Sequence, residues 1–357
     1  MGHPKIYNET PFEFAPLFLA DPQGHPLFVP LLKATFTIGA DGRLGVAPKQ
    51  VPVSIGGEFW GSPEDSSYRL APEGVTRKPA TDVVLIGHAY PAHPGDRETL
   101  VGLRVGALRK IVRVFGDRWW VNTAGRVLMS EPAPFERIPL RWERAFGGWD
   151  RGDPDPRRHA CEARNPVGTG FRRRWNDAER SLALPNLEDP RRPIGSLTDR
   201  PAPAGFGFVA ANWQPRAALA GTYDEDWMQH RRPLLPTDFD PRFLNAAPPD
   251  QQVPGHLRGD EPIAVVNASP CGRLDFWLPG LGPPTFEVAL RGGRTRTLVP
   301  VLDTLVIDTD AAEVALSWRA QLPISEVPAD LVAVRIRWSA AGGPAGRSPW
   351  KEEFIRK

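Results

Sequence analysis

The sequence predicts an all-β protein in which two antiparallel sheet regions pack against each other in a sandwich-like arrangement. The 357 residues include 41 prolines and 34 glycines, which interrupt regular structure too often for a helical bundle or a repeat solenoid. Short apolar runs of strand length alternate with turn residues towards both ends of the chain. Hydrophobic residues make up 41% of the chain, including 12 Trp and 17 Phe, so it can bury a substantial core and is not expected to be disordered.

Residues 1–130 are expected to form an N-terminal β region. Apolar runs alternate here with turns, and Gly106 and Gly116 stand where hairpins would reverse direction. In the run 110–115 the charged residues are three apart, which predicts a strand covered on most of both faces. The strands are expected at 27–29, 31–38, 83–86, 100–105, 110–115 and 118–121.

Residues 131–260 are expected to form a loop-rich segment packed on the sheets. Pro, Gly, Trp, Arg and Asp are dense here, and no periodicity persists. Two short helices are expected, at 175–182 and at 224–231, the second beginning at Asp224 as its N-cap. Disorder is disfavoured because large aromatic side chains need burial or a partner. The tryptophans in this segment are Trp142, Trp149, Trp175, Trp213 and Trp227.

Residues 261–357 are expected to form a C-terminal β region that ends in a polar tail. The run 332–338 alternates Val334 and Ile336 with arginines, so one side of this strand should face solvent. The tail, 342–357, is expected to become ordered only on contact with a partner. The strands are expected at 263–267, 274–278, 286–290, 297–302, 304–308, 313–318 and 332–338.

Charge and cysteine content narrow the class of protein. The formal net charge of +2 gives no global field for nucleic acid or a membrane surface. Cys161 and Cys271 are too far apart in sequence for a disulfide framework or a zinc knuckle, which favours a reducing compartment. Glu9 and Glu13 stand where an export signal would be basic, and no apolar run approaches the ~18 residues of a membrane span. We therefore expect a soluble, cytoplasmic protein.

Four acidic pairs keep a hydrolase hypothesis open. Glycoside hydrolysis needs two carboxylates flanking the scissile bond, and nearby tryptophans would stack on a sugar ring. The same spacing is common in turns, and Pro154 and Pro241 beside two of the pairs favour that interpretation. The pairs are Asp153 with Asp155, Asp224 with Asp226, Asp238 with Asp240, and Asp308 with Asp310.

No metal, cofactor or catalytic site is expected. Of the 7 histidines only His88 and His93 are close in sequence, and Pro91 and Pro94 prevent the helix that a His-x-x-x-His pair requires. The glycine-rich run 165–171 is not followed by the Gly-Lys-Ser/Thr of a phosphate loop. A Gly-x-Ser-x-Gly nucleophile elbow is also lacking.

Three strings in the middle segment are longer and more specific than these motifs. In the first, Arg141, Glu143 and Arg144 flank Trp142 and form a candidate cluster of charge and stacking. Such a cluster either pins a loop to a sheet through Arg–carboxylate pairs or contacts a partner, and pinning is the favoured interpretation for any single residue. The strings are PLRWERAFGGWD (139–150), LAGTYDEDW (219–227), and RPLLPTDFD (232–240) running into RFLNAA (242–247).

These strings resemble a family of bacterial type VI secretion accessory proteins, catalogued as a domain of unknown function and encoded beside spike proteins of the VgrG and PAAR-like types. The resemblance implies an adaptor or chaperone that holds a toxic effector and delivers it to the PAAR-like tip and VgrG spike, and it implies no catalytic residues. Further strings extend it, in order, over roughly residues 8–290. They are NETPF (8–12), KATF (33–36), GDRW (116–119), NPVG (165–168) and DQ (250–251).

The resulting hypothesis is a binding protein whose partners are a secreted effector and a PAAR-like or VgrG spike protein, with no nucleic-acid or membrane partner. Aromatic and Arg side chains on an irregular surface are common anchors of interfaces. The alternatives are the hydrolase and a structural spike component, which would oligomerise on its own. The predicted partner-binding residues are Arg141, Trp142, Glu143, Arg144, Trp149, and a surface-proximal cluster of Asp224, Trp227, Arg231, Asp238 and Asp240.

Overall fold

The computed structural model describes residues 4–123, 125–173, 180–324 and 331–338. Strands and loops dominate these residues, which confirms the predicted all-β class. The strands up to residue 130 are β1 (Lys5–Asn8), β2 (Glu13–Ala20), β3 (Pro26–Ile38), β4 (Leu44–Val46), β5 (Glu58–Phe59), β6 (Tyr68–Leu70), β7 (Ala80–Ile86), β8 (His88–Ala89), β9 (Glu98–Val105), β10 (Leu108–Phe115), β11 (Trp119–Thr123) and β12 (Arg126–Met129).

The middle segment contains only short elements, as predicted. Its strands are β13 (Ile138–Pro139), β14 (Phe146–Gly147), β15 (Trp149–Asp150), β16 (Ala160–Cys161), β17 (Thr169–Gly170), β18 (Ser181–Ala183), β19 (Leu187–Glu188) and β20 (Gln252–Pro254). The α-helix α1 spans Glu225–His230. Turns of 3-10 helix lie at Trp142–Arg144, Pro156–Arg158, Arg216–Leu219, Pro241–Leu244 and Pro249–Gln251.

The last part of the chain returns to longer strands. They are β21 (Pro262–Val266), β22 (Arg273–Trp277), β23 (Thr285–Leu290), β24 (Thr295–Leu298), β25 (Val301–Asp308), β26 (Glu313–Arg319), β27 (Leu322–Pro323) and β28 (Leu331–Arg337). The predicted solvent-facing side of the last strand is confirmed, since Arg335 and Arg337 are exposed while Val334 and Ile336 are buried. The predicted tail, 342–357, lies outside the described residues.

Two predicted elements differ from the structure. The helix expected at 175–182 falls largely on residues 174–179, outside the described residues, and its end lies instead in strand β18, paired with β11. The strand at 110–115 was expected to be covered on most of both faces, which is wrong: Ile111 is 54% exposed. The face that carries Val112 and Val114 is buried in the main core, whereas the opposite face is buried only at Phe115.

Three large sheets organise the molecule. The eight-stranded sheet has the order β2-β3-β26-β25-β7-β20, with β4 and β27 also paired to β3. The five-stranded sheet runs β19-β10-β9-β21-β22 and the four-stranded sheet β1-β28-β23-β24. Most pairs are antiparallel, but β7 pairs with β25 and β1 with β28 in parallel. Each of these three sheets therefore combines strands from residues 1–130 with strands from residues 261–357.

The main core lies where these three sheets meet. Trp318 of the eight-stranded sheet, Leu103 of the five-stranded sheet and Phe286 of the four-stranded sheet belong to one cluster of buried apolar residues. Burying each such side chain stabilises the fold by about 1.5–3 kcal/mol. The sheets therefore pack face to face around a shared interior.

Loops cover the second face of the eight-stranded sheet. Phe208 and Ala246 from these loops, and Leu70 of β6, pack against Val84 and Val306 of the sheet. Three ion pairs are buried in the same layer. A buried charge loses its hydration, and only a well-placed partner of opposite charge offsets that cost. The pairs are Lys33–Glu73 at 2.8 Å, Lys78–Asp82 at 2.9 Å and Arg319–Asp303 at 2.5 Å.

Asp82 on β7 also fastens the middle segment to this sheet. Its carboxylate accepts hydrogen bonds from the backbone amides of Ala246 (2.8 Å) and Ala247 (3.1 Å) and from the side-chain amide of Asn245 (2.9 Å). A buried carboxylate that accepts several backbone N–H groups orders the chain that supplies them. The string 242–247 thus serves the scaffold.

Candidate partner-binding surface

Trp142, the centre of the first predicted group, is a core residue. Its side chain is only 4% exposed and lies edge to face with Trp213, with the ring centroids 6.3 Å apart. Gly205 and Gly207 pack against the indole, and a Cβ on Gly205 would approach it to 2.9 Å. This space is shaped for an indole, so the Trp142 side chain is part of the core.

The residues beside Trp142 connect the middle segment to other loops. The Glu143 carboxylate accepts hydrogen bonds from the backbone amide (2.7 Å) and hydroxyl (2.9 Å) of Ser67. The Arg141 guanidinium stacks over Trp60, 3.6 Å from the ring centroid. Arg144 donates to the Asn186 side chain at 3.3 Å. All three side chains therefore have structural partners.

Asn165 explains why two of the strings occur together. Its buried side-chain amide donates to the carbonyl oxygens of Trp142 (2.8 Å) and Phe146 (3.1 Å). Gly147 has a φ of +153°, and a Cβ there would lie 2.1 Å from the Asn165 carbonyl oxygen. The close approach requires glycine. Strings 139–150 and 165–168 thus form one interlocked unit.

Trp149 is the member of this group that reaches the surface. It is 44% exposed, and the Arg151 guanidinium lies 5.3 Å from its ring centroid. Its backbone pairs with Cys161 through β15 and β16. Trp149 therefore presents a cation–aromatic pair to solvent at the edge of the interlocked unit.

The second predicted group builds a surface segment, residues 219–244. Asp224 caps α1 by accepting from the Trp227 backbone amide at 2.9 Å, as the sequence predicts. The Trp227 indole N–H donates to the Leu234 carbonyl at 2.8 Å. The Arg231 guanidinium donates to the carbonyl of Pro22 at 3.1 Å, which ties the segment to the β2–β3 hairpin. These polar groups fold the segment.

Asp238 and Asp240 also work within the segment. Asp238 accepts from the backbone amide and hydroxyl of Thr222, and these bonds hold the pKa of Asp238 below its ordinary value. The Arg242 side chain, followed by its backbone amide, lowers the pKa of Asp240. The large apolar side chains that the segment leaves exposed are Tyr223 at 52% and Met228 at 53%.

Sequence reasoning missed a further candidate surface, the outward face of the five-stranded sheet, here called the sheet face. Its apolar side chains include Leu100 on β9 (49% exposed), Ile111 on β10 (54%) and Trp277 on β22 (65%). Gly102 lies between them, opposite Ile111 on one side and Val266 on the other. Exposed apolar side chains that share one rigid sheet are typical of an interaction site.

Arginines flank the apolar part of the sheet face. Arg104 and Arg109 are exposed and directly opposite each other in the β9–β10 register. Neither forms an ion pair with a described residue. Elsewhere on this face Arg113 pairs with Glu98 at 2.7 Å and Arg273 with Asp275 at 2.5 Å.

A groove of about 490 Å³ runs along one side of the sheet face. The turn between β3 and β4 forms one wall because Gly42 lies against β22, where a Cβ would approach the Asp275 carbonyl oxygen to 2.5 Å. Arg104 and Trp277 line the groove beside Pro262 and Ala264. The alternation of Leu100, Gly102 and Arg104 in the sequence was the one local signal of this face.

The acidic pairs of the hydrolase hypothesis lie in turns and caps. Asp153 accepts from the Asp155 backbone amide, and Asp155 from that of Arg157. Asp308 accepts from the amides of Asp310 and Ala311. Burial raises the pKa of Asp308 even though these amides oppose the shift. Each of these carboxylates supports its own loop.

The described parts of the chain contain no group of three or more His, Cys, Asp or Glu residues placed to hold a metal ion. Within the same residues, Cys161 and Cys271 are both free thiols. No helix among them is long and apolar enough to cross a bilayer.

Residues 23–319 match the model of a family described as uncharacterised proteins conserved in bacteria, DUF2169. No curated protein and no solved structure gives a significant match to the chain.

Proposed function

This chain belongs to the DUF2169 family of bacterial proteins, and we propose that it is a type VI secretion adaptor or chaperone. In this proposal it binds a secreted effector and helps to load it onto a PAAR-like or VgrG spike protein. It acts by binding and carries out no reaction of its own.

The sheet face carries the proposal. Leu100, Ile111 and Trp277 stay exposed although the other faces of their strands are buried in the main core. Arg104 and Arg109 flank them without an ion-pair partner among the described residues. A few Trp, Tyr and Arg side chains supply most of the binding energy in protein interfaces, and Trp277, Arg104 and Arg109 are of these types.

The proposal of a role in type VI secretion rests on the strings that resemble the secretion accessory family. In this structure they hold the scaffold: Trp142 is buried, Asn165 joins two loops, and the Gln251 amide donates to the carbonyl oxygens of Val83 (2.7 Å) and Phe206 (3.0 Å). The family strings thus form the rigid part of the molecule that carries the binding surface. Partner choice then depends on the surface side chains.

The proposal is tested by co-expressing the chain with the products of neighbouring genes, each in turn. We expect a stable complex of defined stoichiometry with an effector or a PAAR-like or VgrG protein, measured by size-exclusion chromatography with light scattering. A chain that binds none of them but assembles with itself would support the structural spike component instead. Glycosidase turnover without any complex would support the hydrolase.

A further inference from the structure

The charged and apolar side chains of the sheet face indicate the kind of partner that it binds. The inference drawn from them rests on the proposed binding function. We propose that the sheet face binds a protein segment that places carboxylates against Arg104 and Arg109 and apolar side chains over Leu100 and Ile111. The partner segment is therefore acidic and apolar together.

The charge argument begins with the position of the two arginines. Arg104 and Arg109 are paired residues of neighbouring antiparallel strands, so their Cβ atoms are roughly 4.5–5.5 Å apart. Like charges in such positions are destabilising. The Arg104 Nε donates only to the carbonyl of Gly106, at 3.3 Å. A carboxylate from outside the chain would relieve the repulsion.

Acidic groups nearby are already engaged. Glu98 pairs with Arg113, Asp275 with Arg273, and Asp250 with Lys110 at 2.9 Å. Glu261, which packs beside Gly106, accepts from the backbone amides of residues 258 and 259. The excess positive charge on this part of the face therefore stays with Arg104 and Arg109.

The apolar part of the face has room for side chains. A Cβ on Gly102 would lie 3.6 Å from the Val266 Cβ, so glycine leaves a shallow depression between Ile111 and Val266. A partner side chain seated there would also contact Leu100, two residues along the same strand face.

A protein segment fits this combination better than a polyanion does. Glu98, Asp41 and Asp275 lie on or beside the face and interrupt its positive charge, so the face offers no continuous cationic track for a phosphate backbone. Nucleic-acid sites carry a much denser positive charge and few aliphatic side chains. Carboxylates placed beside apolar side chains match both features of the face.

The test is selection of displayed random peptides on the full chain, with counter-selection on Arg104→Glu/Arg109→Glu. Enriched peptides should combine Asp or Glu with Leu, Ile or Phe, and their affinity by calorimetry should fall at least about thirtyfold in the double variant. Arg294→Glu/Arg296→Glu, which makes the same charge change at exposed positions just before and within β24, should bind like the parent. Arg104→Gln/Arg109→Gln replaces the Glu variant if its melting profile changes.

The inference would be overturned if the enriched peptides had no excess of Asp and Glu, or if no peptides were enriched. A neighbour-encoded partner that binds the parent and the double variant equally would also overturn it, while leaving the proposed function in place. If no neighbour product binds but acidic apolar peptides need Arg104 and Arg109, the inference stands and the secretion role fails.

Discussion

Trp142 was predicted from the sequence to bind a partner, and in the fold its side chain is buried in the core. The charged residues beside it in the string indicate stacking and ion pairing, but they do not indicate that the Trp142 side chain is buried. Trp213 lies 71 residues further along the chain and Gly205 lies 63 residues away, so the space they form has no local signature. By contrast, the Asp224 cap was predictable because its hydrogen bond joins residues three apart.

We expect Trp142→Ala to lower the free energy of unfolding by about 3–5 kcal/mol, because the surrounding side chains cannot fill the space of an indole. Chemical denaturation of the full chain measures this change. Trp149→Ala is the matched control and should shift stability by no more than about 0.5 kcal/mol, since Trp149 is 44% exposed. A Trp142→Ala variant that unfolds like the parent but loses its partner would place Trp142 in an interface.

At the scale of elements, strand positions were predictable and strand partners were not. The sequence predicted strands at 263–267 and 313–318, and they lie at Pro262–Val266 and Glu313–Arg319. Alternation of side chains reports exposure within a strand, but hydrogen bonds between strands leave no trace in composition. The sheet face was missed for this reason, because it exists only once β9, β10 and β22 lie in one sheet.

The buried ion pairs under the loops predict how this layer responds to acid. Burial alone would raise the pKa of Asp303, but the charges of Arg319 and Lys78 outweigh it and hold the pKa below its ordinary value of 3.8. A depressed pKa means that the carboxylate stabilises the fold above about pH 4 and that this stabilisation is lost as the pH falls through the folded-state pKa.

We therefore expect Asp303→Asn to destabilise the chain by about 3–5 kcal/mol at pH 7, because it leaves the Arg319 charge buried and unpaired. The difference from the parent should shrink below pH 4 in urea unfolding experiments. Asp275→Asn, in an exposed pair with Arg273, should have little effect at either pH. A constant difference between Asp303→Asn and the parent across this range would contradict the assignment.

At the scale of the whole molecule, the predicted division at residues 130 and 260 reflects changes in amino-acid composition and strand pattern along the chain. The large sheets pair strands of residues 1–130 with strands of residues 261–357: β3 pairs with β26, β7 with β25 and β9 with β21. The middle segment is held to them through Asp82. Each of the three large sheets thus depends on strands that lie more than a hundred residues apart in the chain.

We accordingly expect the full chain to unfold in one cooperative transition, and a chain ending at residue 260 to have no cooperative transition, because it lacks β25 and β26 from the centre of the largest sheet. Calorimetry and near-ultraviolet circular dichroism measure both properties. A sharp melting transition in the shortened chain would show that residues 1–260 fold independently.

The pairing of β3 with β26 also has a consequence for synthesis on the ribosome. Strand β3 ends at Ile38, and its partner begins at Glu313, 275 residues later. Strands β2 and β4 are made close to β3 in time, but at 5–20 residues per second the β26 edge of β3 stays unpaired for roughly 14–55 s. During that interval neighbouring nascent chains on one messenger can pair through the same edge. Yield in a foreign host should therefore depend on translation rate and on chaperones that shield β3 until its partner emerges.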